Sequence, residues 1–289
     1  MALAQNNSEP AFTAAQLEAL LDKAGELSDK YKTIFRDLTA EEKRVFELYD
    51  EKTGKIKRQR QTVSDLIVYA SQDDPNRVNE YRNIREVDGK TVKNQYELVE
   101  KLLERVAAAD SPDKEIDRII HENSRYDFGD PRFIGYTLLN SLAISKHLRR
   151  SFKYEFAGRE RAGEQELAVI KFEQTEVVEN LFGRQYKNLN VTGPLMRGRY
   201  SLDPETGQLR REHNEIFYRD NAQPRMFKIA ETDYDFIPGE QGVWLPQRIL
   251  LQFFNPVKSD KKGFPIEMFL SVRVTHEFGP FRRFEIKAR

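Results

Sequence analysis

The chain contains no cysteine, so disulfides, thiolate metal sites and cysteine nucleophiles are excluded. It also lacks a charge excess, with 47 Lys and Arg against 47 Asp and Glu. A nucleic-acid partner is therefore not expected, because such binders carry a basic surplus to neutralise phosphates. No run approaches the roughly 18–20 apolar residues of a membrane span, so the chain is not expected to cross a membrane with a helix. The four histidines, His121, His147, His213 and His276, fall in no metal-binding spacing. GxSxG, phosphate-loop and GxGxxG motifs are missing, as are repeats and low-complexity tracts. No catalytic residue, metal or cofactor is expected, and the chain reads as a non-enzyme.

What is present points to strands. Nineteen Phe and 12 Tyr stand against a single Trp in 289 residues, a balance that favours sheet. The clearest local signal is Gly198–Glu212, where strand-prone residues flank Asp203-Pro204-Glu205-Thr206-Gly207. Pro204 fixes φ and Gly207 supplies a position where φ is free to be positive, so this is a β-hairpin. Further strands are expected near 151–160, 165–174, 225–237, 243–254, 266–277 and 281–287. Upstream, Thr13 caps a helix carrying Leu17, Leu20 and Leu21. A long hairpin is expected from about Tyr31 to Ala70 with its turn at Asp50–Gly54. A third strand from Glu80 to Val87 ends at Asp88-Gly89.

The period then changes. Tyr96, Val99, Leu102, Leu103 and Val106 mark an amphipathic helix, and Ser111-Pro112 starts a second. Asp130-Pro131 opens a third, apolar nearly all round, with Phe133, Ile134, Tyr136, Leu138, Leu139 and Leu142. The expected fold is α+β. A curved antiparallel sheet, an incomplete β-barrel, has a helical insert at about 92–150 covering its concave face. Residues 1–30 form a flexible lead and N-terminal helix, and residues 31–289 a single half-barrel domain.

Two surface features are ambiguous. Glu231, Asp233 and Asp235 alternate on one strand face. They could bind a hard cation or act as catalytic carboxylates, but a solvated face paired with Arg210 or Arg248 is the plainer account. The run Lys55–Arg60 could hold phosphates, nucleic acid or an anionic lipid headgroup, or could be a charged edge that deters aggregation.

The order of helix, long hairpin, third strand, helical insert and antiparallel run, with Gly198–Leu209 inside that run, resembles the LolA/LolB-like lipoprotein-carrier half-barrel superfamily. Glu86–Lys90, Phe156–Glu160, Gly242–Pro246 and the terminal Phe281–Phe284 are similar to an uncharacterised group of secreted bacterial proteins. The resemblance implies an apolar concavity closed by helices and a periplasmic or secreted location, and it brings no catalytic residue. Ala2-Leu3-Ala4 matches the residues before a signal-peptidase cut, without the preceding basic and apolar regions. That start is either chance or the end of a signal peptide. The functional expectation is an envelope protein binding a hydrophobic ligand or lipid under Phe133, Ile134, Tyr136, Leu138, Leu139 and Leu142. The alternative is a structural or interaction module with an envelope protein partner and a permanently plugged concavity.

Overall fold

Thr13 opens the first element of the computed structural model, which describes residues 12–70, 78–92, 125–128, 136–178, 191–239 and 243–283, with isolated positions between 101 and 121. The Thr13 hydroxyl accepts from the Gln16 amide at 3.2 Å, and the Gln16 side chain accepts from the Thr13 amide at 2.9 Å. This reciprocal cap satisfies two donors that a helix start leaves open. Helix α1 (Ala14–Phe35) runs farther than the leucine spacing suggests. Leu20, Leu21, Ala24, Tyr31 and Phe35 are all buried along one face, at the three- and four-residue steps of a helix packed on its side. Tyr31, expected at the start of a strand, is therefore a helical core residue. The helix stops at Asp37, whose φ of 60° no helix accommodates.

Among the described residues, twelve strands follow: β1 (Leu38–Tyr49), β2 (Ile56–Ala70), β3 (Val78–Val87), β4 (Lys90–Thr91), β5 (Phe152–Ala162), β6 (Gln165–Gln174), β7 (Val191–Leu202), β8 (Leu209–Asp220), β9 (Met226–Pro238), β10 (Trp244–Ser259), β11 (Pro265–Phe278) and β12 (Arg282–Arg283). They form one open, curved antiparallel sheet in the order β4-β3-β2-β1-β11-β10-β9-β8-β7-β6-β5, with β12 beside β1. Two meanders thus meet where the last long strand pairs with the first, Phe46 lying opposite Val274 and Glu42 opposite Phe278. The incomplete barrel expected from the sequence is the observed architecture.

The hairpin loops share one device. Asp50, Asp203 and Asp260 open three of them, and each accepts two loop amides on one carboxylate oxygen at 2.9–3.1 Å. A short acidic side chain mimics a backbone turn in this way. Gly207 closes the β7–β8 loop with φ of 75°, and a side chain there would meet Lys23 Cβ at 2.8 Å and the Ala24 amide at 2.9 Å. The hairpin tip therefore rests on α1, and the Lys23 ammonium also donates to the Glu205 carbonyl at 2.9 Å. Gly207→Val combines left-handed strain with a collision against helix backbone, and is expected to cost about 2–4 kcal/mol. Urea titration measures it; a cost under ~0.5 kcal/mol, no more than that of an ordinary surface substitution, would show that the tip does not brace the helix.

The register also explains the basic run. β3 begins to pair with β2 only at Thr62, opposite Val87, and Gln61 exchanges hydrogen bonds with Asp88 at 2.8 Å, so among the described residues 56–60 pair with β1 alone and form an edge. Lys57, Arg58 and Arg60 lie on that edge, where charge discourages a second chain from adding a strand.

Candidate functional site: a polar seam beneath the sheet

Alternation along β1 turns Leu38, Ala40, Glu42, Arg44 and Phe46 to the same buried side. Equivalent positions on the other strands give Leu66, Ile170, Tyr200, Tyr234, Ile249 and Val274. This inner face is occupied by the chain itself. α1 fills part of it, and residues 136–148, whose Ala143 and Ile144 are fully buried, fill another part. Gly25 marks the closest approach of the two, since a Cβ there would lie 2.8 Å from the Ile144 carbonyl oxygen.

Residues 136–148 do not form the helix that their apolar character predicts. Tyr136–Leu138 is a single 3-10 turn, Arg149–Ser151 is another, and successive turns join them. The reason lies in where the backbone donors go. The Thr137 amide donates to Glu80 at 3.2 Å, the Ser141 amide to Glu212 at 2.8 Å, and the Ala143 amide to Tyr200 at 3.2 Å. Side chains of the sheet thus accept the amides that an α-helix would give to its own carbonyls. Ser141 also takes φ of 56°, outside the helical region.

The carbonyls are matched from the other side. The Tyr31 hydroxyl donates to the Thr137 carbonyl at 3.0 Å, and that of Tyr234 to the Tyr136 carbonyl at 3.2 Å. Trp244 donates its indole N–H to Asn140 at 2.9 Å, and Asn140 donates to the Thr137 carbonyl at 2.9 Å. Burial pushes the phenols of Tyr31, Tyr200 and Tyr234 above their ordinary range, so they stay protonated and remain donors. Burial also pushes the Glu212 carboxyl up to about 7, against the opposing pull of the Asn214 and Ser141 N–H groups.

A charged layer lies beside this aromatic one. Glu42, Arg44 and His276 are fully buried, with Arg82, Glu80 and Asp127 nearly so. Arg82 reaches Glu42 at 2.9 Å and Glu80 at 3.1 Å, Arg44 holds Asp127 at 3.0 Å, and His276 Nδ1 lies 2.8 Å from Glu42. Burial alone would raise the Glu42 carboxyl. Arg82, the His276 hydrogen bond and Arg44 outweigh it and hold the group well below the usual carboxylate range. His276 is driven down to about 4 by burial, with Glu42 opposing and the two arginines assisting. Burial raises Asp127, the direction that reduces the surplus of three carboxyls over two guanidiniums.

The outer face carries the carboxylate row. Glu231, Asp233 and Asp235 stand opposite Glu215, His213 and Arg211 on β8. Asp235 lies 3.7 Å from Arg211 and 3.6 Å from Arg248, Asp233 meets His213 at 2.8 Å, and Glu231 pairs with Lys228. Cross-strand pairing with Arg248 is as expected, but the second arginine is Arg211 rather than Arg210, because Arg211 shares the face of Asp235. His213, Glu231 and Asp233 offer ligand atoms within 4.8 Å of one another, a geometry that a cation would fit. Each already has a charged or hydrogen-bonding neighbour.

Of the six residues expected to line a ligand pocket, Phe133 and Ile134 lie outside the described residues, as does most of the insert before residue 125. Leu138 is buried in the core, and Tyr136 and Leu142 pack against it half-buried. Leu139 is 42% exposed and does not face the sheet. The step from Leu138 to Leu139 carries the side chain out to solvent. The residues that hold the segment, Glu80, Tyr200, Glu212, Tyr234 and Trp244, were not singled out by sequence. Their signal is polar or amphipathic side chains at strand positions whose alternation predicts burial.

No family model matches the chain, and no curated relative matches it. Among solved structures, it is similar to a DUF1329 family protein from Desulfovibrio piger ATCC 29098, with 9% identity, 93% of each chain covered and a TM-score of 0.38. It is similar to a Vibrio parahaemolyticus domain named for outer membrane lipoprotein sorting, with 9% identity, 91% of this chain and 93% of that one covered, and a TM-score of 0.33. A LolA superfamily protein from Nitrosomonas europaea has 9% identity, 96% coverage of each chain and a TM-score of 0.29. All three TM-scores lie below 0.5, and these likenesses assign neither family, ligand nor partner to this chain.

Proposed function

We propose that this is a non-enzymatic protein of the cell envelope that works as a structural or interaction module, its concavity filled by its own chain. The observation that supports this reading is the polar seam on residues 136–148. A segment poised to leave for an acyl chain would rest on apolar contacts that a lipid can replace. Here, lifting it would strand the Tyr31, Tyr200 and Tyr234 hydroxyls against a hydrophobic ligand and take one partner each from Glu80 and Glu212, and each buried polar group left unpaired costs about 1–3 kcal/mol. The non-enzymatic part rests on the outer carboxylates, each of which is engaged by an Arg, Lys or His side chain. Placement in the envelope rests on the resemblance alone, and fractionation of cells expressing the gene tests it separately.

The rival reading, a carrier that binds a hydrophobic ligand or lipid beneath the segment, makes the opposite forecast. Ser28 on α1 and Ser141 on the segment place their hydroxyl oxygens 2.9 Å apart, and the chain has no other thiol to interfere. Ser28→Cys with Ser141→Cys therefore allows the segment to be locked and released by oxidation and reduction. Trp244, the single tryptophan, touches the segment and reports its position by emission. A filled module gives no response to fatty acids or phospholipids in either redox state. Lipid-dependent emission that vanishes on oxidation would overturn the proposal in favour of a carrier.

A further inference from the structure

The outer face of β5 to β8 forms a cleft of about 630 Å³, bounded by side chains on four adjacent strands. Its cations are Lys153, Lys171, Arg197 and Arg199, and its carboxylates are Glu155, Glu173 and Glu215. Arg197 is bound to Glu215 at 2.7 Å, and Glu173 is bound to Arg219 at 3.0 Å. Removing these pairs leaves Lys153, Lys171 and Arg199 against Glu155 alone, a surplus of two positive charges. Lys171 and Arg199 are direct cross-strand partners, and neither makes an ion pair among the described residues. Like charges placed opposite one another destabilise a sheet, so this arrangement favours an anion between them.

Next to Arg199 across the β7–β8 ladder stands His213, held by Asp233 at 2.8 Å. Asp233 is thereby drawn away from Arg199, which stays available to the cleft. Gly198 lies between Arg197 and Arg199 and places no side chain on the strand there.

We infer that this cleft is an anion site for a phosphate monoester, with Lys171 and Arg199 as its principal ligands and Lys153 at its rim. A dianion matches the surplus of two. The planar guanidinium of Arg199 supplies a forked pair of donors, and the lysines supply point charges, the combination suited to phosphate oxygens. The chemistry is common to a soluble phosphate ester and to a monoester lipid headgroup.

The test uses the full chain and three probes: glycerol 1-phosphate, sodium sulfate at matched ionic strength, and vesicles of phosphatidylcholine with or without phosphatidic acid. Calorimetry and co-sedimentation read binding. Both charges lie on the exposed face, so Lys171→Gln with Arg199→Gln should leave the melting temperature in ligand-free buffer unchanged or slightly raised. The double variant is expected to weaken phosphate-ester binding at least tenfold and to lose the rise in melting temperature that the ester gives wild type. Binding of the soluble ester identifies a small ligand, and binding only of phosphatidic acid vesicles identifies a headgroup; either supports the inference when the double variant loses it. Equal binding of sulfate, binding that survives the double substitution, or no binding to any probe would overturn it.

Discussion

Arg82→Met is expected to destabilise the protein by about 3–5 kcal/mol, because it leaves Glu42 and Glu80 buried without their common cation. Urea denaturation measures this directly. The loss has a second signature. Arg82 helps to hold the His276 pKa down, so its removal lets the imidazole titrate at higher pH, visible in the ring resonances. Adding Glu42→Gln and Glu80→Gln should recover part of the stability, since the damage is the uncompensated charge rather than the missing attraction. A cost below ~1 kcal/mol for Arg82→Met, in the range of an exposed ion pair, would mean that water reaches the cluster and that it is not the closed layer described.

The strands were legible for a physical reason. Their hairpin loops carry Asp, Pro and Gly where turns require them, so Asp203–Gly207 and Asp50–Gly54 were located by local chemistry alone. Period two then placed Glu231, Asp233 and Asp235 on one face of β9. The filler of the sheet was only half visible. Leu17, Leu20 and Leu21 announced α1, but its second half carries the buried face on Tyr31 and Phe35, aromatic residues of only middling helix propensity. Residues 136–148 read as a helix because they are apolar. They are not one because Glu80, Glu212 and Tyr200, distant in sequence, take their amides. Glu42 and Arg44 escaped notice for the opposite reason. β1 carries charge on both parities, Glu41 and Lys43 outward and Glu42 and Arg44 inward, and a charge count cannot tell the two faces apart.

Glu212→Gln is expected to change the pH dependence of stability, because two buried groups oppose each other in wild type. The Glu212 pKa is raised from 4.5 to about 7 in the folded protein. Between those values the folded state holds a proton that the unfolded chain has released. Its contribution is complete below pH ~4.5 and is lost as pH rises through ~7. The His276 pKa is lowered from 6.5 to about 4, so there the unfolded chain holds the extra proton. That contribution is complete above pH ~6.5 and is lost as pH falls towards ~4. Each shift is worth about 3 kcal/mol at ~1.4 kcal/mol per unit, and the two slopes cancel across their overlap. Wild type should therefore be nearly flat from pH ~4.5 to ~6.5, lose stability towards pH ~7.5, and fall sharply below pH ~4.5, where Glu42 in the unfolded chain also binds a proton that the folded protein does not. Gln at position 212 keeps an acceptor for the Ser141 amide and removes the titration, and Asn214 can reorient to accept from its new N–H₂ group. The variant should gain stability steadily from pH ~4 to ~6.5 and exceed wild type at pH 8 by up to about 3 kcal/mol. His276→Asn should show the complementary profile, falling from pH ~4.5 to ~7 with no opposing rise across that range. Urea titrations at half-unit pH intervals resolve all three curves. Parallel profiles for wild type and Glu212→Gln would mean that Glu212 ionises in the folded protein as it does in water, and that residues 136–148 open at neutral pH rather than sealing the inner face.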